Sequence, residues 1–194
     1  MNIKTKMYLR VKDLVHIGTI NSAISSTLEM TILSTIALIT PMFLKHPQML
    51  VGIIINALLI KGAFSLKKYQ TLPLILLPSV GVVLGGYLFG GLTKFVFYMI
   101  PAIWAANAIL VYVFRARTEK NYFKTLVLGA LAKTAFLFSV AFIMYSLNII
   151  PKPLLMAMGY MQFITAILAG AVVFSELNIE KWLGLLNQKK DNSN

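Results

Sequence analysis

The 194-residue chain has no cysteine, two histidines and six acidic residues. Without thiols there are no disulfides, thiolate metal sites, iron–sulfur clusters or cysteine nucleophiles. The only aspartates, Asp13 and Asp191, lie near the two ends, so paired-carboxylate acid–base chemistry has little to work with. Neither His16 nor His46 has a partner at metal-ligand spacing, and no Ser/His/Asp constellation is visible. The reading is a protein with no catalytic residues, no metal site and no cofactor. No GxxxxGK[ST] motif occurs, so a P-loop cannot power the chain. Charged residues make up 12% of the sequence, about half the roughly 25% of a soluble domain. That is too little polar surface for an ordinary cytosolic enzyme.

Apolar residues are abundant instead, at 58% of the chain with a mean hydropathy of +0.79. They fall into six runs, at 20–44, 48–66, 72–92, 94–114, 122–147 and 154–176. At ~1.5 Å rise per residue, about 20 helical residues cross a hydrocarbon layer of ~30 Å. The runs are continuous, as in "PLILLPSVGVVLGGYLFGGL", whereas barrel strands alternate. The expectation is an all-α, polytopic six-helix bundle over 20–176. A basic segment at 1–19 precedes it and a polar, frayed tail at 177–194 follows. The least distinct boundary is Gly90–Lys94.

The net charge of +12 suggests nucleic acid until the cations are placed. Thirteen fall in the N-terminal segment, every second loop and the C-terminal tail; only Lys45, Lys94 and Lys152 fall in the opposite loops. That bias matches the positive-inside rule and places both termini in the cytoplasm of a multi-pass cell-membrane protein, with lipid rather than nucleic acid as its surroundings. In the first twenty residues Ile3, Met7, Val11, Leu14 and Val15 recur at helical spacing between cations. The segment reads either as an interfacial helix or as a basic topology signal.

Two spans carry charge at similar depth. Glu29 lies roughly 13 Å and Lys133 roughly 16 Å from the basic side by helical rise. Opposite charges at one depth suggest an intramembrane ion pair or a shared polar site. The alternative is that the first span starts later and Lys133 snorkels. Lys61 reads as a snorkelling end residue and Asn107 as an interhelical contact. On the opposite side, Asn56 and Gln162 lie inside spans, where an unsatisfied amide is costly. Tyr98, Trp104 and Tyr145 suit either a ring-containing solute or an interfacial aromatic belt.

Small residues mark close approach. Ser22 and Ser26 are four apart, as are Thr27, Thr31 and Thr35, and each set forms a stripe on one helix face. Such a stripe offers hydrogen bonds across helices or a docking face for another membrane protein. Gly81/Gly85 and Gly86/Gly90 both have GxxxG spacing, read either as packing or as a hinged outer segment.

The six-span layout resembles the S components of energy-coupling factor (ECF) transporters. So does the texture of "PAIWAANAILVYVFR" (101–115), "ALAKTAFLF" (130–138) and "GYMQFITAILAGAV" (159–172). The resemblance implies a membrane-embedded subunit that binds a vitamin-like micronutrient from outside. It also implies a transmembrane coupling protein and two ATPases as partners. Many S components dock through AxxxA on the first helix; here Ser22/Ser26 and Ala23/Thr27 are the small-xxx-small analogues. On this reading an outer pocket, lined by spans four to six, uses Asn56, Tyr98, Asn148 and Gln162 as solute contacts. Lys94 meets an anionic group, and Asn107 and Lys133 lie deeper. Two other readings compete. One is a non-transport scaffold that recruits proteins through its basic loops; the other is a self-sufficient ion-coupled carrier using Glu29 and Lys133.

Overall fold

The computed structural model describes the backbone of residues 3–44, 46–86, 88–117 and 121–191. It describes the side chains of residues 23–179 apart from Lys45, Tyr87 and 118–120. The described residues are helical throughout, with no strand. Helix α1 spans Ile3–Phe43, α2 Gln48–Ser65, α3 Leu72–Gly85, α4 Thr93–Ala116, α5 Tyr122–Ser146, α6 Lys152–Met158 and α7 Tyr160–Asp191. Six segments are long and apolar enough to cross a bilayer, the last comprising α6 and α7 together. Helices satisfy their own backbone groups, which hydrocarbon requires of a spanning segment.

The expected boundaries hold to within a few residues for α2, α4 and α5. Elsewhere the differences have local causes. Helix α1 runs without a break through the expected 19/20 boundary, and α7 continues past 176 to Asp191. The third span stops at Gly85, because Gly86 takes φ +66° and ends the helix in the left-handed region. Thr93 Oγ1 then donates to Gly86 O at 3.2 Å, closing the loop onto the start of α4. The sixth span is interrupted at Gly159, where a Cβ would meet Phe138 Cδ2 at 2.9 Å. Asn121 caps α5, its side chain accepting from the Lys124 N–H at 3.3 Å.

Helices α2, α4, α5 and α7 pack in a closed ring: α2 on α4, α4 on α5, α5 on α7 and α7 on α2. Helix α3 packs on α4 and α2, and α1 packs on α3 and α2. Most of the buried core is apolar, with Leu59, Ile60, Met99, Leu110 and Leu137 of the ring helices and Leu154 of α6 essentially buried. The outside is apolar too. Phe43, Phe97, Tyr112, Leu147 and Ile179 are each more than half exposed. A surface so rich in large apolar side chains is stable against acyl chains and not against water. The fold is that of a multi-pass membrane protein.

Candidate solute-binding site

Each ring helix contributes one polar residue to a single buried network. Lys133 on α5 is 3% exposed, and its Nζ donates to Asn56 Oδ1 on α2 at 2.6 Å and to Asn107 Oδ1 on α4 at 2.9 Å. Asn56 Nδ2 donates to Thr165 Oγ1 on α7 at 3.1 Å. The Thr165 hydroxyl donates to Gln162 O at 3.2 Å, and Asn107 Nδ2 donates to Ile75 O of α3 at 3.2 Å. Each amide thus spends its oxygen on the lysine and one N–H on another helix. A polar side chain deep in hydrocarbon is costly unless bonded, so this chain of partners fixes the rotation of all four helices.

The network forms the floor of a cavity of about 100 Å³. That is well above the roughly 10–15 Å³ that one water needs. All six spans line it. Lys133, Asn107, Asn56 and Thr165 lie at its base, with Val82, Ile103 and Met158 on the walls. Gln48, Phe89 and Met161 line it toward the end opposite the basic loops. Gln48 and Gln162 are half-buried, and their side-chain amides make no bond within the described structure. Ser79 also lines the cavity, bonded to Trp104 Nε1 at 2.6 Å.

The other end of the ring is closed by aromatic rings, again one from each helix. Phe64 of α2 meets Phe114 of α4 edge-on, with centroids 5.7 Å apart. Tyr122 of α5 lies 5.9 Å from Phe114 and 5.2 Å from Phe174 of α7. The Tyr122 hydroxyl donates to Gly170 O at 2.7 Å. By helical rise this plug sits about 10–16 Å from the polar network, on the basic side. These aromatic rings therefore close the interior of the helix ring between the cavity and the basic end.

Of the expected contacts, Asn56, Asn107, Lys133 and Gln162 converge on the cavity. Tyr98, Lys94 and Asn148 do not. Tyr98 is 56% exposed, because its neighbours Val96 and Met99 take the inward face of α4. Lys94 is exposed one turn earlier, its Nζ 5.1 Å from the Phe95 ring centroid. Asn148 is exposed with φ +58° and ends α5; asparagine tolerates that conformation better than most residues. The lining also draws on spans one to three, beyond the three expected.

The Glu29–Lys133 pair is not formed. Helix α1 packs on α2 and α3, and α5 on α4, α6 and α7, and Glu29 lies nearer the basic end than Lys133. Glu29 lines a second cavity, of about 170 Å³, with Lys61 and Glu176 near the basic end. Lys61 pairs there with Glu176, so it is held by an acid rather than snorkelling. Of the expected docking residues, the Ser22 side chain lies outside the described residues. Ser26 Oγ donates to Gln70 Oε1 at 2.7 Å, in the 3-10 turn that precedes α3. Thr27 and Thr31 turn their hydroxyls back to carbonyls of their own helix, those of Ala23 and Thr27, rather than across to another.

Thr165 and Ser79 are cavity residues that carried no separate expectation, and Gln48, one of the outer-side polar residues suited to a ring-containing solute, lines the cavity as well. Thr165 opens the small-residue run "TAILAGAV", which reads as packing; its place four residues before Ala169, on the buried face, is the signal that points inward. No group of three metal-ligating side chains occurs among the described residues. Searches of family models, curated proteins and solved structures return no match to this chain.

Proposed function

We propose that the protein is a membrane-embedded subunit that captures a small, vitamin-like solute for uptake, in the manner of an ECF S component. Energy comes from a coupling protein and ATPases supplied as partners. The observation that carries this reading is the cavity itself. It is floored by a polar network drawn from four helices, closed on the basic side by stacked rings and extended toward the other end. Positive-inside reasoning makes the side closed by these rings cytoplasmic, so the cavity takes solute from outside. The chain does no covalent chemistry on this reading; it binds, and its partners drive release. An ion-coupled carrier built on Glu29 and Lys133 loses its basis, because those groups occupy different cavities.

The test is native mass spectrometry of the detergent-purified protein, followed by thermal-shift screening against vitamins, their precursors and nucleobases. One small molecule retained per chain, or a ligand-dependent rise in melting temperature, is expected. A protein that retains nothing and is shifted by nothing refutes the reading.

A further inference from the structure

Resting on that solute-binding reading, we infer that the solute carries a carboxylate-class anionic group and that this group seats against Lys133. A lysine ammonium has three donors and no acceptor. Two of the three go to the neutral oxygens of Asn56 and Asn107, and the third has no protein acceptor among the described residues. Among the described residues no carboxylate stands within ion-pair distance of this lysine, although it is 3% exposed. Elsewhere in the same bundle a membrane-embedded lysine, Lys61, does have its acid. A buried cation is normally paired, because desolvation leaves its charge uncompensated. Here the missing counter-charge fits the ligand: Lys133 lines the cavity floor, where a group entering from the open end comes to rest.

The surroundings narrow the class. Asn56 and Asn107 each commit one amide N–H, to Thr165 and to Ile75 O, and the Ser79 hydroxyl donates to Leu76 O at 2.8 Å. The donors left for an anion are one cationic Lys133 N–H, the second amide N–H of Asn56 and of Asn107, and the neutral amides of Gln162 and Gln48. Among the described residues Lys133 is the one charged residue in the lining, which suits the single charge of a carboxylate and falls short of the dianion of a phosphate. Val82, Ile103, Met158 and Met161 then enclose an apolar or ring-containing body, the thioethers adapting to its shape.

The experiment compares matched acid and amide probes, benzoate against benzamide and nicotinate against nicotinamide, with phenyl phosphate as a third arm. Melting temperature is measured for the purified protein and for Lys133→Gln and Asn107→Asp. The acids are expected to raise the wild-type melting temperature and their amides not to. Lys133→Gln is expected to weaken acid binding at least about thirtyfold. Asn107→Asp places a carboxylate where the Asn107 oxygen now meets Lys133. It supplies the counter-charge to Lys133 at the expense of the Asn107–Ile75 bond, is expected to abolish the acid response, and remains informative if Lys133→Gln fails to fold. Amides that shift the wild type as well as the acids do overturn the inference and leave solute binding intact. So does an acid response that survives in either variant, or a phenyl phosphate response exceeding that of benzoate. If no probe of either charge shifts the protein and no small molecule is retained on purification, the inference falls together with the solute-binding reading.

Discussion

Replacing Gly85 with alanine tests how α1 and α3 are held together. A Cβ at Gly85 would meet the Met42 carbonyl oxygen at a separation real Cβ atoms do not show, and would stand 2.7 Å from Met42 Cα. One turn earlier, a Cβ at Gly81 would strike the Leu38 carbonyl oxygen and stand 2.9 Å from Pro41 Cγ. The obstacles at Gly85 are backbone, which has no rotamer with which to yield. Ordinary contact begins at 3.4 Å, so the helices must part by about 1 Å, and overpacking of that kind costs about 1–3 kcal/mol. Gly81→Ala carries a similar cost. Both residues face α1, so one outward displacement relieves both clashes, and the double variant costs less than the two singles summed. Gly91→Ala is the control, because nothing lies within 4 Å of a Cβ there. The assay is denaturant-induced unfolding in detergent micelles, followed by tryptophan fluorescence. A Gly85→Ala protein as stable as Gly91→Ala refutes close α1–α3 packing. An additive double variant refutes the shared displacement.

Three further outcomes follow from the same coordinates. Phe114→Ala removes a fully buried ring from the aromatic plug and is expected to destabilise the bundle by about 3–5 kcal/mol in the same unfolding assay. Tyr98→Ala and Asn148→Gly, both outside the cavity, are expected to leave solute retention by native mass spectrometry unchanged, whereas Asn148→Val is expected to lose stability, because a β-branched residue is strained at φ +58°. Cysteines placed at Lys68 and Lys152 in this cysteine-free chain are expected to label with impermeant maleimide from opposite faces of intact cells, with position 152 outside.

Much of the fold is legible in the sequence because the bilayer reduces it to one dimension. Run length gives the spans, and 1.5 Å of rise per residue gives the depth of a residue within its span. On that axis Asn56, Asn107, Lys133 and Gln162 read correctly as embedded polar groups. The glycines divide along a line that spacing alone does not draw. Gly81 and Gly85 serve packing, whereas Gly86 and Gly90 serve positive φ, at +66° and +54°, with open space around them. Both pairs have the same GxxxG pattern. Only the position of the α3 terminus distinguishes them, and that terminus is itself set by Gly86.

What run length does not supply is where a span starts, its azimuth and its neighbours, and the errors at the site have those origins. Glu29 and Lys133 differ even in depth: Glu29 shares a cavity with Lys61 and the plug ring Phe64, whereas Lys133 bonds Asn56, about two turns from Phe64 on α2. Tyr98 and Val96 are two residues apart on α4; the smaller side chain faces the core and the larger faces lipid, where a ring is equally at home. In water such a choice would be made by hydrophobicity. In a bilayer both faces of a helix are apolar, so the hydrophobic pattern loses its power to orient it. Orientation passes to the few side chains that hydrocarbon penalises. Lys133, Asn56, Asn107 and Thr165 therefore set how four helices are turned, and the same four residues floor the cavity. The packing of this bundle and the floor of its cavity rest on one set of hydrogen bonds, so a substitution there disturbs both together.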